Sequence, residues 1–127
     1  MTAPEPDGAM PDVELEIHEH VGTAIVTLRG EHDISTQPSV SEALTRASRH
    51  ANVLVDLSAC TFADSCLISA LIAANIEVKR REGRIEVVVP PEASAVRQVV
   101  ELTRLCEIIP IRPSRTGARP RSGGGAA

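Results

Sequence analysis

The sequence is almost without aromatic residues. Phe62 stands alone, and there is no Trp or Tyr. The core must therefore be aliphatic. Single-stranded nucleic-acid binding, which stacks bases on aromatic rings, is disfavoured, and no nucleic-acid partner is expected. Long hydrophobic runs are missing as well. None approaches the ~20 residues of a membrane-spanning helix, and no basic segment leads into an apolar run as in a secretory signal. Cysteine is sparse. Cys60, Cys66 and Cys106 are odd in number and fit no metal spacing. Free thiols suit a reducing compartment, so the expected location is cytoplasmic, with no membrane partner, no cofactor and no metal.

What is present fits one domain. The chain has 127 residues, 43% hydrophobic and 24% charged, enough for a single modest core. The net charge of -4 is unevenly spread. Glu5, Asp7, Asp12, Glu14, Glu16 and Glu19 fall before any Lys or Arg, whereas Arg112, Arg115, Arg119 and Arg121 follow the last acid. The basic end reads either as a solvated tail or as a segment that touches an acidic surface. Proline and glycine at both ends mark 1–11 as a disordered N-terminal tail and 113–127 as a disordered Arg/Gly-rich C-terminal tail, leaving 12–112 as the domain.

Between the tails, hydrophobic period changes along the chain. Val13, Leu15 and Ile17 alternate with Glu14, Glu16 and His18, which predicts a half-buried strand. Ala24–Leu28 predicts a second strand, paired with the first as a hairpin. Gly30–Ile34 reads as a loop. Ser35 or Thr36 caps a helix running to about Arg49, with Val40, Ala43, Leu44 and Ala47 inward. Val53–Leu57 is a continuous apolar run suited to a central strand. A short polar turn then leads to a helix from Ser65 to about Arg81, with Leu67, Ile68, Leu71, Ile72, Asn75, Ile76 and Val78 on its apolar face and Gly83 as its stop. Ile85–Val89 is a fourth strand. A helix from about Ala93 to Leu105 buries Val96, Val99, Val100 and Leu102. Ile108, Ile109 and Ile111 supply a short edge strand. The fold class is α/β: a single domain with a mixed, mostly parallel central sheet of about five strands and helices packed against it.

The residues that draw attention are Asp64 and Ser65. A buried strand delivers a carboxylate and a hydroxyl to a helix start, where free N–H groups and the helix dipole favour an anion. Spacing alone leaves two accounts open: Asp64 as a plain cap, or Ser65 as a group that receives a phosphoryl charge. No G-x-S-x-G elbow surrounds Ser65, and no motif ties His18, His20, His32 or His50 to it, so a hydrolase is not indicated. Cys66, in the first helical turn, reads either as a space-filler or as a redox thiol. Asp56 reads as a carboxylate that satisfies loop N–H groups.

Taken in order, these segments resemble the STAS domain, and specifically the bacterial anti-sigma factor antagonists, over about residues 13–112. Gly30-Glu31-His32-Asp33-Ile34 resembles the family's Gly-x-Leu-Asp loop, and Val53–Ser58 its apolar strand ending Asp-Leu-Ser. Phe62-Ala63-Asp64-Ser65-Cys66-Leu67 resembles Phe-x-Asp-Ser-Ser-Gly. Arg97, Val100, Leu102 and Leu105 resemble the closing helix. The resemblance implies a non-enzymatic partner switch. Ser65 would be phosphorylated by an anti-sigma factor that is also a Ser kinase, and a PP2C-type phosphatase would reverse it. ATP and magnesium would belong to the kinase. Asp33, Ile34, Ser35, Asp64, Cys66, Leu67 and Ser69 would form the docking surface of a monomer or weak dimer. The pattern departs where Cys66 replaces Ser, Leu67 and Ser69 replace Gly, and His32 replaces Leu. Either the partner has adapted, or phosphorylation has been lost and binding is constitutive. The latter suits a STAS subunit of another assembly, such as a lipid-transport ATPase complex or a stressosome-like scaffold. A nucleotide binder ranks last, since no Gly-rich phosphate cradle is present.

Overall fold

Ten residues of one strand organise the sheet. In the computed structural model, which describes residues 11–115, strand β2 (Thr23–His32) lies between three partners. Strand β1 (Asp12–His18) pairs with it antiparallel as the expected hairpin. Strand β3 (Asn52–Asp56) pairs with the first half of β2 in parallel. Strand β4 (Cys60–Ala63) pairs with its far end, also in parallel. Strands β5 (Arg84–Val88) and β6 (Ile111–Arg112) complete the order β1-β2-β3-β5-β6, with β4 beside β2. Among the described residues six strands result, mostly parallel, with three α-helices.

The extra strand corrects two expectations. Gly30–His32 is not a loop but the end of β2, and the polar turn after Leu57 contains β4. Both changes come from one device. The register slips between Gly30 and Glu31, and Gly30 has φ 82°, a left-handed value that glycine adopts without steric cost. This bulge re-aims β2, which continues beside β4 after β3 has ended. The Gly30 N–H donates to Ala59 O at 2.9 Å and ties the two together.

Helix α1 (Gln37–Ala47) carries Pro38 in its first turn and buries Val40, Ala43, Leu44 and Ala47, as the spacing predicts. It ends earlier than Arg49. Thr36 occupies its N-cap position without a side-chain capping bond to the helix. Helix α2 (Ser65–Arg80) buries Leu67, Ile68, Leu71, Ala74 and Val78. Ile76, expected inward, is 62% exposed. It sits five residues after Leu71 and two before Val78, which turns it to the opposite side at about 100° per residue. Helix α3 (Ser94–Leu102) buries Val96 and Val100 and leaves Leu102 outside for the same reason. Ile109 is in the core, Ile108 is exposed, and neither belongs to β6.

Gly83 ends α2 in a different way from that expected. The left-handed residue is Glu82, at φ 63°. The N–H of Glu82 donates to Lys79 O and that of Gly83 to Val78 O, the paired bonds of a Schellman end. Gly83 is required by space: a Cβ there would stand 2.8 Å from the Ala51 carbonyl oxygen.

The core lies between the helices and one face of the sheet. Ala24, Val26 and Leu28 of β2, Val53 and Val55 of β3, and Ile85 and Val87 of β5 point into it. Each of these Val, Leu and Ile side chains contributes roughly 1.5–3 kcal/mol of transfer free energy, and the smaller Ala24 less. Alternation places Thr27, Leu54, Asp56, Glu86 and Val88 on the other face. On that face Arg112 of β6 pairs with Glu86 at 3.3 Å, and Arg115, in the segment after β6, pairs with Asp56 at 2.9 Å. The predicted tails 1–11 and 113–127 otherwise fall outside the described residues. No described helix is long and apolar enough to cross a membrane.

Candidate functional site

The site forms where β2 and β4 end side by side. Parallel pairing of His32 with Ala63 brings the turn after β2 next to the start of α2. The first supplies Asp33, Ile34 and Ser35. The second supplies Asp64, Ser65 and Cys66. The ladder therefore joins segments about 30 positions apart in the chain.

Asp64 caps α2. Its backbone is extended, at φ -107° and ψ -174°, and its Oδ1 accepts from Cys66 N at 2.9 Å and Leu67 N at 3.4 Å. The carboxylate thus already occupies two of the helix N–H groups that could have held another anion, those of Cys66 and Leu67. Ser65, the next residue, is exposed, and its hydroxyl makes no hydrogen bond to any described residue. A phosphoryl group on Ser65 would add about -1.5 to -2 charge. With the Cys66 and Leu67 N–H groups bonded to Asp64, that charge would stand beside the Asp64 carboxylate.

Asp33 caps a single 3-10 turn, Ile34–Thr36. Its Oδ1 accepts from Ser35 N at 2.9 Å and from Ser35 Oγ at 2.6 Å. These bonds, the hydroxyl first, hold the Asp33 carboxyl below the usual carboxylate range. Ile34 projects into solvent at 67% exposure. Phe62 of β4, at 45%, is a second exposed apolar side chain close by in the sheet, opposite Glu31.

His32 supports this turn from beneath. It is fully buried. Its Nε2 lies 2.9 Å from Arg29 O, and since a carbonyl only accepts, Nε2 carries the hydrogen. Its Nδ1 lies 3.0 Å from Thr36 Oγ1, which also reaches Asp33 O at 3.1 Å. A buried ring thus joins the end of β2 to the 3-10 turn. A narrow crevice between His32, Asp33, Thr36, Cys66 and Leu67 separates the two halves of the site.

Most of the expected residues converge here. Asp33, Ile34, Ser35, Asp64, Ser65 and Cys66 share the site, and Ser69 lies one helical turn further along, exposed. Leu67 does not share the surface. It is only 4% exposed, because its side chain enters the core, so it offers no apolar contact to a partner. His32 and Phe62 were not anticipated. Nothing in the local sequence distinguishes a buried His from a loop His, whereas Phe62, the sole aromatic, was a visible signal.

The cysteines divide by environment. Cys60 is buried, its thiol pushed up to about 11 by burial, and it donates to Phe62 O at 3.3 Å. Cys66 is half-buried and Cys106 exposed, and all three are free. Among the described residues no cluster of three or more His, Cys, Asp or Glu could hold a metal ion.

Comparison with known proteins agrees with this fold. The sequence profile of a family described as "Mlab, STAS domain" matches residues 15–110. No curated protein matches the chain. Among solved structures, an anti-sigma factor antagonist from Mycobacterium paratuberculosis is similar with a TM-score of 0.71 and 24% identity, over 90% of this chain and 92% of that one. The Bacillus cell fate determinant SpoIIAA in its phosphorylated form is similar with a TM-score of 0.61 and 17% identity, over 79% and 90%. An anti-sigma-factor antagonist domain protein from Planctomyces limnophilus gives a TM-score of 0.66 and 16% identity, over 81% and 91%. At these identities the likeness is one of fold. With the profile covering most of its length, the chain belongs to the STAS domain family.

Proposed function

We propose that this protein is an anti-sigma factor antagonist. It binds an anti-sigma factor that is a Ser kinase, frees a sigma factor, and is switched off by phosphorylation of Ser65. The observation that carries this reading is the exposed Ser65 hydroxyl, unpartnered among the described residues, next to a carboxylate that has already taken the N–H groups of Cys66 and Leu67. A phosphate added there is repelled by Asp64, which holds the Cys66 and Leu67 amides. Its charge falls on whatever docks across the helix start and the Asp33 turn. The docking surface in this reading comprises Asp33, Ile34, Ser35, Asp64, Cys66 and Ser69, with Ser65 at its centre and Phe62 at its edge. The protein is a binding module rather than an enzyme, and a PP2C-type phosphatase restores it. Three free thiols suit the cytoplasm in which such a switch operates.

Incubation with candidate anti-sigma kinases and ATP, followed by mass spectrometry, tests the reading. Phosphate is expected on Ser65 and not on Ser58 or Ser69. A Ser65→Ala protein should bind the kinase and stay unmodified, and Ser65→Asp should bind at least tenfold more weakly. Equal binding by Ser65→Asp and wild type would sink the switch. A second reading, constitutive binding in another STAS assembly such as a lipid-transport ATPase complex, is favoured by Cys66 standing where the resemblance has a second Ser. It predicts that Ser65→Asp binds its partner unchanged.

A further inference from the structure

The basic C-terminal segment does not simply leave the domain at β6. Arg115 turns back over the sheet face that lies away from the core. Its Nε donates to Asp56 Oδ2 at 2.9 Å and its Nη2 donates to Thr27 Oγ1 at 2.8 Å. Asp56 and Thr27 are register partners on adjacent parallel strands, and both are buried, at 6% and 5% exposure. One guanidinium therefore clamps the ends of β3 and of the first half of β2. Its two prongs span 59 and 88 positions of sequence, and the planar fork of Arg suits two acceptors at once in a way an ammonium does not.

The clamp sits at the root of the site. The other carboxylate oxygen of Asp56 accepts from Ser58 N at 2.9 Å. That bond fixes the turn in which Cys60 N donates to Leu57 O at 3.1 Å and Ala59 O receives Gly30 N at 2.9 Å. Four residues of β4 follow, and Asp64 comes directly after them. Arg115 thus holds the carboxylate that holds the turn, and the turn sets where β4 and the start of α2 lie against the end of β2. Removing Arg115 would leave a buried carboxylate without its cation, so Asp56 would rotate toward water and release Ser58 N.

We propose that Arg115 is a positioning residue for the Asp64–Ser65 site, acting through Asp56 and the β3–β4 turn. The importance of that site rests on the function proposed above; the clamp itself does not.

Amide hydrogen exchange on the full chain, without any partner, tests it. Arg115→Ala should speed exchange about tenfold or more at Ser58, Cys60, Gly30 and Cys66. Ser48 at the end of α1 and Arg81 at the end of α2 should keep their wild-type rates. Arg115→Lys retains the charge but not the two-pronged reach, and should give the same pattern with smaller factors. It also serves if the alanine variant fails to fold. Acceleration confined to Ser58, or spread equally to Ser48 and Arg81, overturns the proposal: the first would show no transmission to the site, the second only general loosening. Binding of an anti-sigma kinase by the wild-type chain is scored separately. Its absence alongside the expected exchange pattern would remove the functional reading and leave the clamp standing.

Discussion

Replacing Asp64 separates its role as a cap from its role as a charge. Asp64→Ala removes the acceptor for Cys66 N at 2.9 Å and for Leu67 N at 3.4 Å. The first is a full hydrogen bond and the second a weak one, so the lost cap costs about 1 kcal/mol. The carboxylate also sits at the positive end of a 16-residue helix, which adds about 0.5 kcal/mol. Asp64→Asn keeps an oxygen in the same place and loses only the second contribution. Urea denaturation reads the difference. With a slope of about 1.5 kcal/mol per M for a domain of this size, the alanine variant should melt about 1 M earlier than wild type and the asparagine variant about 0.3 M earlier, at unchanged slope. Equal losses in the two variants would refute the capping account, because they would show that the oxygen geometry contributes nothing. The asparagine variant then becomes the reagent for function: it leaves the helix intact and removes the charge beside Ser65.

Three further outcomes are expected. Gly83→Ala places a Cβ 2.8 Å from Ala51 O, a backbone atom that cannot rotate away. It should cost about 1–3 kcal/mol in the same urea assay, and unchanged stability would show that the α2 end can shift. The Asp33 carboxyl should titrate below the usual carboxylate range in an NMR pH series, and Ser35→Ala should move its midpoint upward. Since the folded value is depressed, the stability it adds is present above the unfolded value and is lost as pH falls through the lower folded one. An unmoved midpoint in Ser35→Ala would remove Ser35 as the cause. In native protein a thiol reagent at pH 8 should modify Cys106 readily and Cys60 only after denaturation, because burial holds the Cys60 thiol protonated up to about 11. Modification of both at one rate would contradict that burial.

Much of this was legible in the sequence because local pattern and burial agree. The face Val40, Ala43, Leu44 and Ala47 repeats at helical spacing and is buried as read. The runs Val53–Leu57 and Ile85–Val89 match buried strands. Asp64 before a helical apolar run is a cap in sequence and in space. What was not legible depends on distance along the chain. Strand β4 is four residues long and exists because a bulge at Gly30 extends β2 beside it. Ile76 and Leu102 are apolar but lie off the buried stripe, and composition does not report which side of a helix meets the sheet. The clamp of Arg115 on Asp56 joins residues 59 apart in a segment that reads as tail. His32 lies in a stretch whose polarity suggests a loop; its partners, Arg29 O and Thr36 Oγ1, are only three and four positions away, and it is the burial of the ring that residue pattern does not report.

The end of α2 leaves room for engineering. Glu82 adopts φ 63° without being glycine, a conformation that costs an L-residue with a Cβ about 1 kcal/mol. Glu82→Gly should therefore raise the melting temperature by a few degrees, once the greater freedom of glycine in the unfolded chain is set against the relief. The change lies roughly 24 Å from Ser65 along a helix of 16 residues. A hardened variant made in this way would keep its docking end untouched, and would serve as a scaffold on which damaging substitutions around Ser65 can be made without losing the fold.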